Sequence, residues 1–376
     1  MADTAFRTDG NLAVEHWSAM VYREAERQQF LKKFTGPSSN AIIQIKEDLA
    51  GKKGYKITFP LVMDLDGTGR TGDQELEGYE EAMTFYDFSV QVYLRANAVR
   101  SAGKMTDQLT MINFKKEAKT ALGRWMGSMQ DDDTVLALSG LANPAIVDDD
   151  GTVVTANGPS TNRRFIGGQT TAGVLSANLA SDSVLGSGTG GKTYVDHLFG
   201  TQVISRVKRM AQLASPKIKP IMVNGAERYV VVIHPYQAKD LRNESAWQQA
   251  QREANIRGES NPIFSGALGI WDGVIVHEYD RITTRKGDGT GTDPTTYWES
   301  GDALNSANES AARALFLGAQ AACKAFAQRP GWYEKNFQYG RVPGVATDTL
   351  YNVEKTEFNS EDFGVIAIDT CYTPDS

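Results

Sequence analysis

Apolar positions recur along the chain at two periods, and the switches between them mark out its elements. Between Leu12 and Phe34, the residues Trp17, Val21, Ala25 and Leu31 stand near helical spacing, and Thr35-Gly36-Pro37 ends the segment. Ile42, Ile43 and Ile45 are the only apolar cluster of the polar stretch that follows. Tyr55, Ile57, Phe59 and Leu61 then alternate strictly, which predicts a strand, and Pro60 makes it an edge or exposed one. A second alternating run, Tyr86, Phe88, Val90, Val92 and Leu94, is expected to pair with it as a long hairpin. Between the two, residues 64–81 are glycine-rich and acidic, with Arg70 as their only basic residue. A hairpin with so long a tip has no core of its own and is expected to project from the body.

The strongest helical pattern comes next. Thr106 or Asp107 can cap it, and Met111, Phe114, Ala118, Leu122, Trp125 and Met129 step by three and four. Lys115, Lys116, Lys119 and Arg124 occupy its other face, and the expected span is 106–130. Residues 145–191 turn to Gly, Ser, Thr and Asn, with a hairpin expected around Asp149-Asp150-Gly151. A second long helix is expected from Thr193 to Ala214, carrying Val195, Leu198, Val203, Val207 and Met210 on one side and stopping at Ser215-Pro216. Tyr229 to Ile233 is continuously apolar and β-branched, the mark of a strand buried on both faces. A polar helix over 236–256 and strands at 273–278, 313–317 and 363–369 complete the reading. Helices and strands mix without regular βαβ alternation and without an internal repeat, so the fold class is α+β.

Composition narrows the function. The chain has 376 residues, 41% hydrophobic and 23% charged, an ordinary globular balance with room for about two or three domains or one elaborated domain. No apolar run approaches the ~20 residues of a membrane-spanning helix, so no membrane partner is expected. Met1-Ala2-Asp3-Thr4 is acidic and polar where a signal peptide is basic and then apolar, so a soluble, cytoplasmic protein is expected. Cys323 and Cys371 are too few for a disulfide framework and read as reduced, buried thiols. Against 39 basic residues stand 46 acidic ones, a net charge of -7, which argues against a sequence-independent grip on nucleic acid.

Three glycine-rich strings carry possible chemistry. Gly186-Ser187-Gly188-Thr189-Gly190-Gly191-Lys192-Thr193 matches the P-loop, whose backbone amides cradle phosphates while its lysine and threonine reach the terminal phosphate and magnesium. Val365-Ile366-Ala367-Ile368-Asp369 can pose as its magnesium strand. The polar stretch 176–183 is nevertheless a poor substitute for the buried strand a P-loop follows. Gly67-Thr68-Gly69-Arg70-Thr71-Gly72 fits the dinucleotide fingerprint, but the next strand starts too soon for a βαβ crossover. Asp64, Asp66, Thr68, Gly69 and Glu75 approach calcium-loop spacing, with a strand where the entering helix belongs. His16, His197, His234 and His277 are scattered, and His234, before Pro235, reads as structural. No active site assembles from these residues, and no enzyme activity, cofactor or metal is expected.

Taken in order, the sequence resembles a known family. The features are the N-terminal helix, Lys53-Gly54-Tyr55-Lys56-Ile57-Thr58-Phe59-Pro60, and Gly72-Asp73-Gln74-Glu75-Leu76-Glu77-Gly78-Tyr79-Glu80-Glu81. An alternating strand ending at Arg95-Ala96-Asn97-Ala98-Val99-Arg100 follows, then the amphipathic helix. His234-Pro235, Gly266-Ala267-Leu268-Gly269 and Leu317-Gly318-Ala319-Gln320-Ala321 come later. This pattern is similar to the major capsid proteins of the N-four-like tailed phages over most of the chain, with Tyr79 where Asn is expected. The resemblance is not drawn from the glycine-rich 145–191 stretch.

The resemblance implies the Johnson fold of tailed-phage and herpesvirus capsids. It divides the chain into an N-terminal arm (1–50), an extended hairpin loop (51–100) and a peripheral domain with its spine helix and glycine-rich insertion (101–192). An axial domain (193–329) and a returning peripheral segment (330–376) follow. It also implies self-assembly through hexamers and pentamers into an icosahedral shell in the host cytoplasm. Scaffolding, portal and decoration proteins are the further partners implied, and double-stranded DNA is enclosed without specific binding. Asp64, Asp66, Asp73, Glu75, Glu77, Glu80 and Glu81 crowd the hairpin tip. Arg23, Arg27, Lys32 and Lys33 on the arm and Lys115, Lys116 and Lys119 on the spine helix offer the opposite sign. Since the resemblance sets all three near subunit boundaries, the tip is expected to dock on a neighbour's basic residues.

Overall fold

The structure is a computed structural model. It describes residues 25, 29–49, 53–62, 67, 69–72, 76–83, 85–109, 114–147, 153–154, 158–169, 175, 197–223, 225–253, 267–285, 311–358 and 361–372. The N-terminal half contains β1 (Thr35–Gly36), β2 (Ile43–Lys46), β3 (Lys56–Val62), β4 (Phe85–Gln91), β5 (Tyr93–Arg100), α1 (Lys104–Leu109), α2 (Phe114–Ser139) and β6 (Arg164–Ile166). Next come α3 (Thr201–Leu213), β7 (Ile221–Val223), β8 (Ala226–Ile233), α4 (Pro235–Asn243), α5 (Ser245–Glu253), β9 (Ala267–Trp271), β10 (Val274–Glu278) and β11 (Thr284–Arg285). The chain closes with β12 (Ala311–Leu317), β13 (Ala322–Phe337), β14 (Val342–Lys355), β15 (Glu357–Phe358), β16 (Glu361–Asp362) and β17 (Val365–Cys371).

Two sheets organise these elements. One runs β1-β2-β13-β14-β5, and the other runs β6-β17-β12-β8-β10-β9 with β7 and β11 attached at its flanks. In the second sheet β8 lies between β10, to which it is parallel, and β12, to which it is antiparallel. Its continuous apolar run follows from this position. Val230 and Val232 enter a core shared with α2, while Tyr229, Val231 and Ile233 enter a second core under α3, α4 and α5. A strand with a core on each face has no position for a polar side chain. The α+β class expected from the sequence agrees with this architecture.

The spine helix α2 joins the two sheets. Met126, Met129, Val135 and Leu138 enter the shared core, and Ala118 and Leu122 pack on Trp332 and Val345 of the first sheet. It runs nine residues past the expected end, because the polar Asp131-Asp132-Asp133 interrupts the apolar period without breaking the helix. The stop is at Gly140, whose φ of +68° suits glycine alone. There Gly140 N–H donates to the Ala137 carbonyl and Leu141 N–H to the Leu136 carbonyl, at 3.1 and 3.0 Å, a Schellman closure.

Several expectations need correction. The helix expected from Thr193 starts at Thr201, and Leu198 instead bridges to Gln169 and Cys371. Glu244 fixes that start, accepting from Thr201 N–H at 2.8 Å and from its hydroxyl at 2.5 Å. Glu244 also separates α4 from α5, so the single polar helix expected there is two. Of the N-terminal helix, only Ala25 and residues 29–34 are described, and Leu31–Phe34 is a 3₁₀ turn. The longest strands, β13 and β14, carry no regular apolar alternation in the sequence. Arg329-Pro330-Gly331 sits where the β13 ladder shifts register, which is where a strand tolerates proline.

The hairpin departs from expectation at its root. β3 and β4 pair as expected, from Lys56↔Gln91 to Val62↔Phe85. The alternating run then changes sheets, since β5 pairs with β14. The root also has a core, because Ile57, Phe59 and Val90 are buried against Cys323 and Ala325 of β13. The expected boundary between residues 329 and 330 falls inside β13, and β17 pairs with β12 and β6 in the sheet of β8.

Candidate subunit-contact site

The hairpin tip is shaped by its own carboxylates. Glu81 Oε2 accepts from Gly67 N–H at 2.8 Å, and Glu80 Oε2 accepts from Gly78 N–H at 2.9 Å. The Arg70 guanidinium lies 3.5 Å from the centre of the Tyr79 ring. Glu77, Glu80 and Glu81 are exposed, as are Leu76, Tyr79 and Met83. The tip thus presents acidic and apolar side chains together, whereas the sequence pattern drew attention only to the charge. Asp64, Asp66, Asp73 and Glu75 lie outside the described residues, and with Thr68 so do all the calcium-loop positions but Gly69; of the dinucleotide string, 67–72, only Thr68 does.

The basic residues expected to meet this tip differ in their surroundings. Arg23 and Arg27 lie outside the described residues, and Lys32 is exposed on the 3₁₀ turn. Lys33 is half-buried in its own subunit, with Nζ 3.9 Å from the Phe30 ring centre and 3.2 Å from His277 Nδ1. Burial lowers its pKa to about 8. Lys115 Nζ sits 2.6 Å from Glu334 Oε2 of β13, an ion pair within the chain. Lys116 is exposed and Lys119 half-buried on the outward side of α2.

The root of the arm is fixed to α2 by a carboxylate that the sequence pattern did not single out. Asp131 accepts from Phe30 N–H at 2.7 Å, Leu31 N–H at 3.3 Å and the Tyr279 hydroxyl at 3.2 Å. Burial raises its pKa despite these donors and the nearby Lys324. Phe30 stacks on Tyr279 with ring centres 4.4 Å apart, and Leu31 and Phe34 are buried beside them. Asp133 receives the Tyr351 hydroxyl, Asn143 Nδ2 at 2.5 Å and Arg95 at 3.6 Å, tying α2 to β14 and β5. Burial raises its pKa too, against the pull of Arg95.

Asp369 closes the other end of the spine. Fully buried, it receives Arg313 Nε at 2.7 Å, Arg313 Nη2 at 3.2 Å and Arg164 Nε at 2.7 Å. Arg313 Nη1 also donates to the Ser139 carbonyl at 2.9 Å, at the end of α2. Asp369 is therefore a structural counter-ion, which removes it as a magnesium ligand for a P-loop. The P-loop string itself, 186–193, lies outside the described residues. His234 is structural as expected, its Nδ1 capping α4 through Tyr236 N–H at 3.2 Å.

The arm pinned to a long helix, the two-stranded ribbon carrying an exposed tip and the pair of sheets have known counterparts. A family model described as phage capsid protein matches residues 6–373. The chain belongs to that family. Among curated relatives, the major capsid protein of Pseudomonas phage KPP25 is 28% identical over 370 residues, covering 94% of this chain and 93% of its own. Among solved structures, the capsid of Ralstonia phage GP4 superposes with a TM-score of 0.73 at 27% identity, covering 100% of this chain and 96% of that one. The cyanophage Pam1 capsid asymmetric unit gives 0.68 at 24% identity, covering 93% of each chain, a likeness of fold.

The chain is thus a phage major capsid protein with the tailed-phage capsid fold, a component of the virion shell that assembles with copies of itself. The family match runs through 186–193, so the glycine-rich string lies inside a capsid protein. Among the described residues, no helix is long and apolar enough to cross a membrane.

Proposed function

We propose that the chain assembles in the host cytoplasm through hexamers and pentamers into an icosahedral shell, with the acidic hairpin tip docking on basic residues of a neighbouring subunit. The observation that carries this reading is the tip itself, which leaves its subunit with Glu77, Glu80, Glu81, Leu76, Tyr79 and Met83 exposed. Crowded like charges repel, and apolar groups beside them are left against water in an isolated subunit. A neighbour of opposite sign gives both a partner. Lys116 and Lys119 on α2 and Lys32 on the arm are the described candidates, joined by Arg23 and Arg27, while Asp64, Asp66, Asp73 and Glu75 add to the acidic side. Lys33 and Lys115 belong to the same basic set, Lys33 lying against His277 and Lys115 against Glu334 in their own chain.

The sheet of β8, β10, β12 and β17 with α3, α4 and α5 is assigned to the axial domain around the capsomer centres. The sheet of β13 and β14 with α2 is assigned to the peripheral domain. A net charge of -7 suits a shell that encloses double-stranded DNA without gripping it. Scaffolding, portal and decoration proteins are the further partners of this reading.

Each exposed ion pair contributes only about 0–1 kcal/mol, but a closed shell repeats the contact at every subunit. Replacing Glu75, Glu77, Glu80 and Glu81 by Gln should leave subunits folded and assembling poorly, and salt should weaken assembly of the parent. Normal shells from the quadruple variant, with parent assembly indifferent to molar salt in light scattering, would falsify the docking.

A further inference from the structure

Residues 85–100 form one extended run that changes its partner halfway. β3 pairs along one edge of β4, and on that same edge Val92 N–H donates to the Tyr55 carbonyl at 3.0 Å. From Tyr93 onward the ladder moves to the opposite edge, where β14 lies. Ser101 N–H donates to the Pro343 carbonyl at 3.0 Å, and this fixes the phase of the ladder. The backbone groups of Tyr93, Arg95, Asn97 and Val99 point to β14, and those of Leu94, Ala96, Ala98 and Arg100 point away from it. β5 is the last strand of its sheet, and among the described residues no strand pairs with it on that side. Ala98 N–H is held by its neighbour's side chain, Asn97 Oδ1, at 2.8 Å. The edge is otherwise open over eight residues, without proline, and the side chains of Leu94, Ala96, Ala98 and Arg100 are exposed. Such an edge is a template for a further strand.

We propose that the β5 edge receives residues 79–83 of a second copy of this chain as an added strand. The proposal deepens the docking of the hairpin tip and rests on it, naming the backbone that the tip meets.

Charge and placement select this occupant. Residues 79–83 are exposed, belong to no helix, strand or turn, and lead toward β4, which begins at Phe85. Residues 76–83 carry Glu77, Glu80 and Glu81 and no base, whereas residues 93–104 carry Arg95, Arg100 and Lys104 and no carboxylate. The seven residues of β4 hold the tip about 23 Å from the start of β5, so the strand comes from another subunit. The small side chains of Ala96 and Ala98 let another backbone approach. Val99 packs with Ala118 and Leu122 of α2, so an added strand runs beside the helix whose Lys116 and Lys119 belong to the docking surface.

Proline at position 96 tests the edge without touching the ladder. Ala96→Pro removes one outward N–H and leaves every bond to β14 in place, which an edge strand tolerates. The variant should keep the parent's denaturation midpoint and raise the concentration at which shells form by at least about tenfold. Ala96→Ser, which retains the N–H, should assemble as the parent does.

Hydrogen exchange of the full-length protein, comparing free subunits with assembled shells, reads the added strand itself. The amides of Leu94 and Ala96 should slow by at least about a hundredfold on assembly, while that of Asn97, bonded to β14, is protected in both states. The proposal is overturned if the Leu94 and Ala96 amides exchange as fast in shells as in free subunits. It is overturned equally if their protection persists in shells whose residues 79–83 are replaced by Gly and Ser, since another segment then covers the edge. Assembly that weakens with salt while these amides stay unprotected would keep the docking of the tip and remove the added strand. Should Ala96→Pro fail to fold, the exchange comparison decides alone.

Discussion

Asp369 is a carboxylate with no access to water, held by two arginines, one of which also caps the spine helix. Removing one partner of such a group leaves a buried charge short of donors, a loss of about 3–5 kcal/mol. Arg313→Ala should therefore lower stability by that amount in denaturant melts, whereas a loss under about 1 kcal/mol would show the pair to be dispensable. Both residues were visible in the sequence as single charges inside apolar runs, Ala311–Leu317 and Val365–Cys371. Their pairing was not, because 56 residues separate them and periodicity does not report which strands become neighbours. The same holds for Asp131, which a polar run disguised as a helix end and which the fold uses to pin the arm.

At the scale of elements, amphipathic period was a sound guide where one face meets one core. The spine helix is the clear case. Its stepping residues Ala118, Leu122 and Met129 are buried, and Lys115, Lys116 and Arg124 are exposed. Trp125 is only half-buried, while Trp332, across from the helix on β13, is 1% exposed. Trp332→Ala should consequently lose about 3–5 kcal/mol, Trp125→Ala clearly less, and Lys116→Ala almost nothing. Comparable losses for Trp125 and Lys116 in denaturant melts would mean that the helix is rotated from this orientation. The strands β13 and β14 escaped the pattern for a physical reason. On β14 the buried positions include Thr347 and Thr349, whose hydroxyls donate to the Gly331 and Gln328 carbonyls at 2.8 and 3.0 Å, so its inner face does not read as apolar. On β13 the bulge around Pro330 resets the alternation midway.

For the whole molecule, the resemblance to capsid proteins rested on the ribbon, the spine helix and the acidic tip, and the family match bears it out. The division into domains was less legible, because β17 crosses from the neighbourhood of one sheet to join the other, and only long-range pairing discloses that. The tip raises the central question, since its acids and apolar groups stand exposed together on a single subunit. Electron cryo-microscopy of the assembled shell, refined with neighbouring subunits in place, answers it most directly. The expected map sets the carboxylates of Glu77, Glu80 or Glu81 within about 4 Å of a neighbour's Lys or Arg side chains on the spine helix or arm, with Leu76 and Tyr79 covered at the same contact. A map in which the tip stands in solvent, or lies back on its own subunit, would contradict the account.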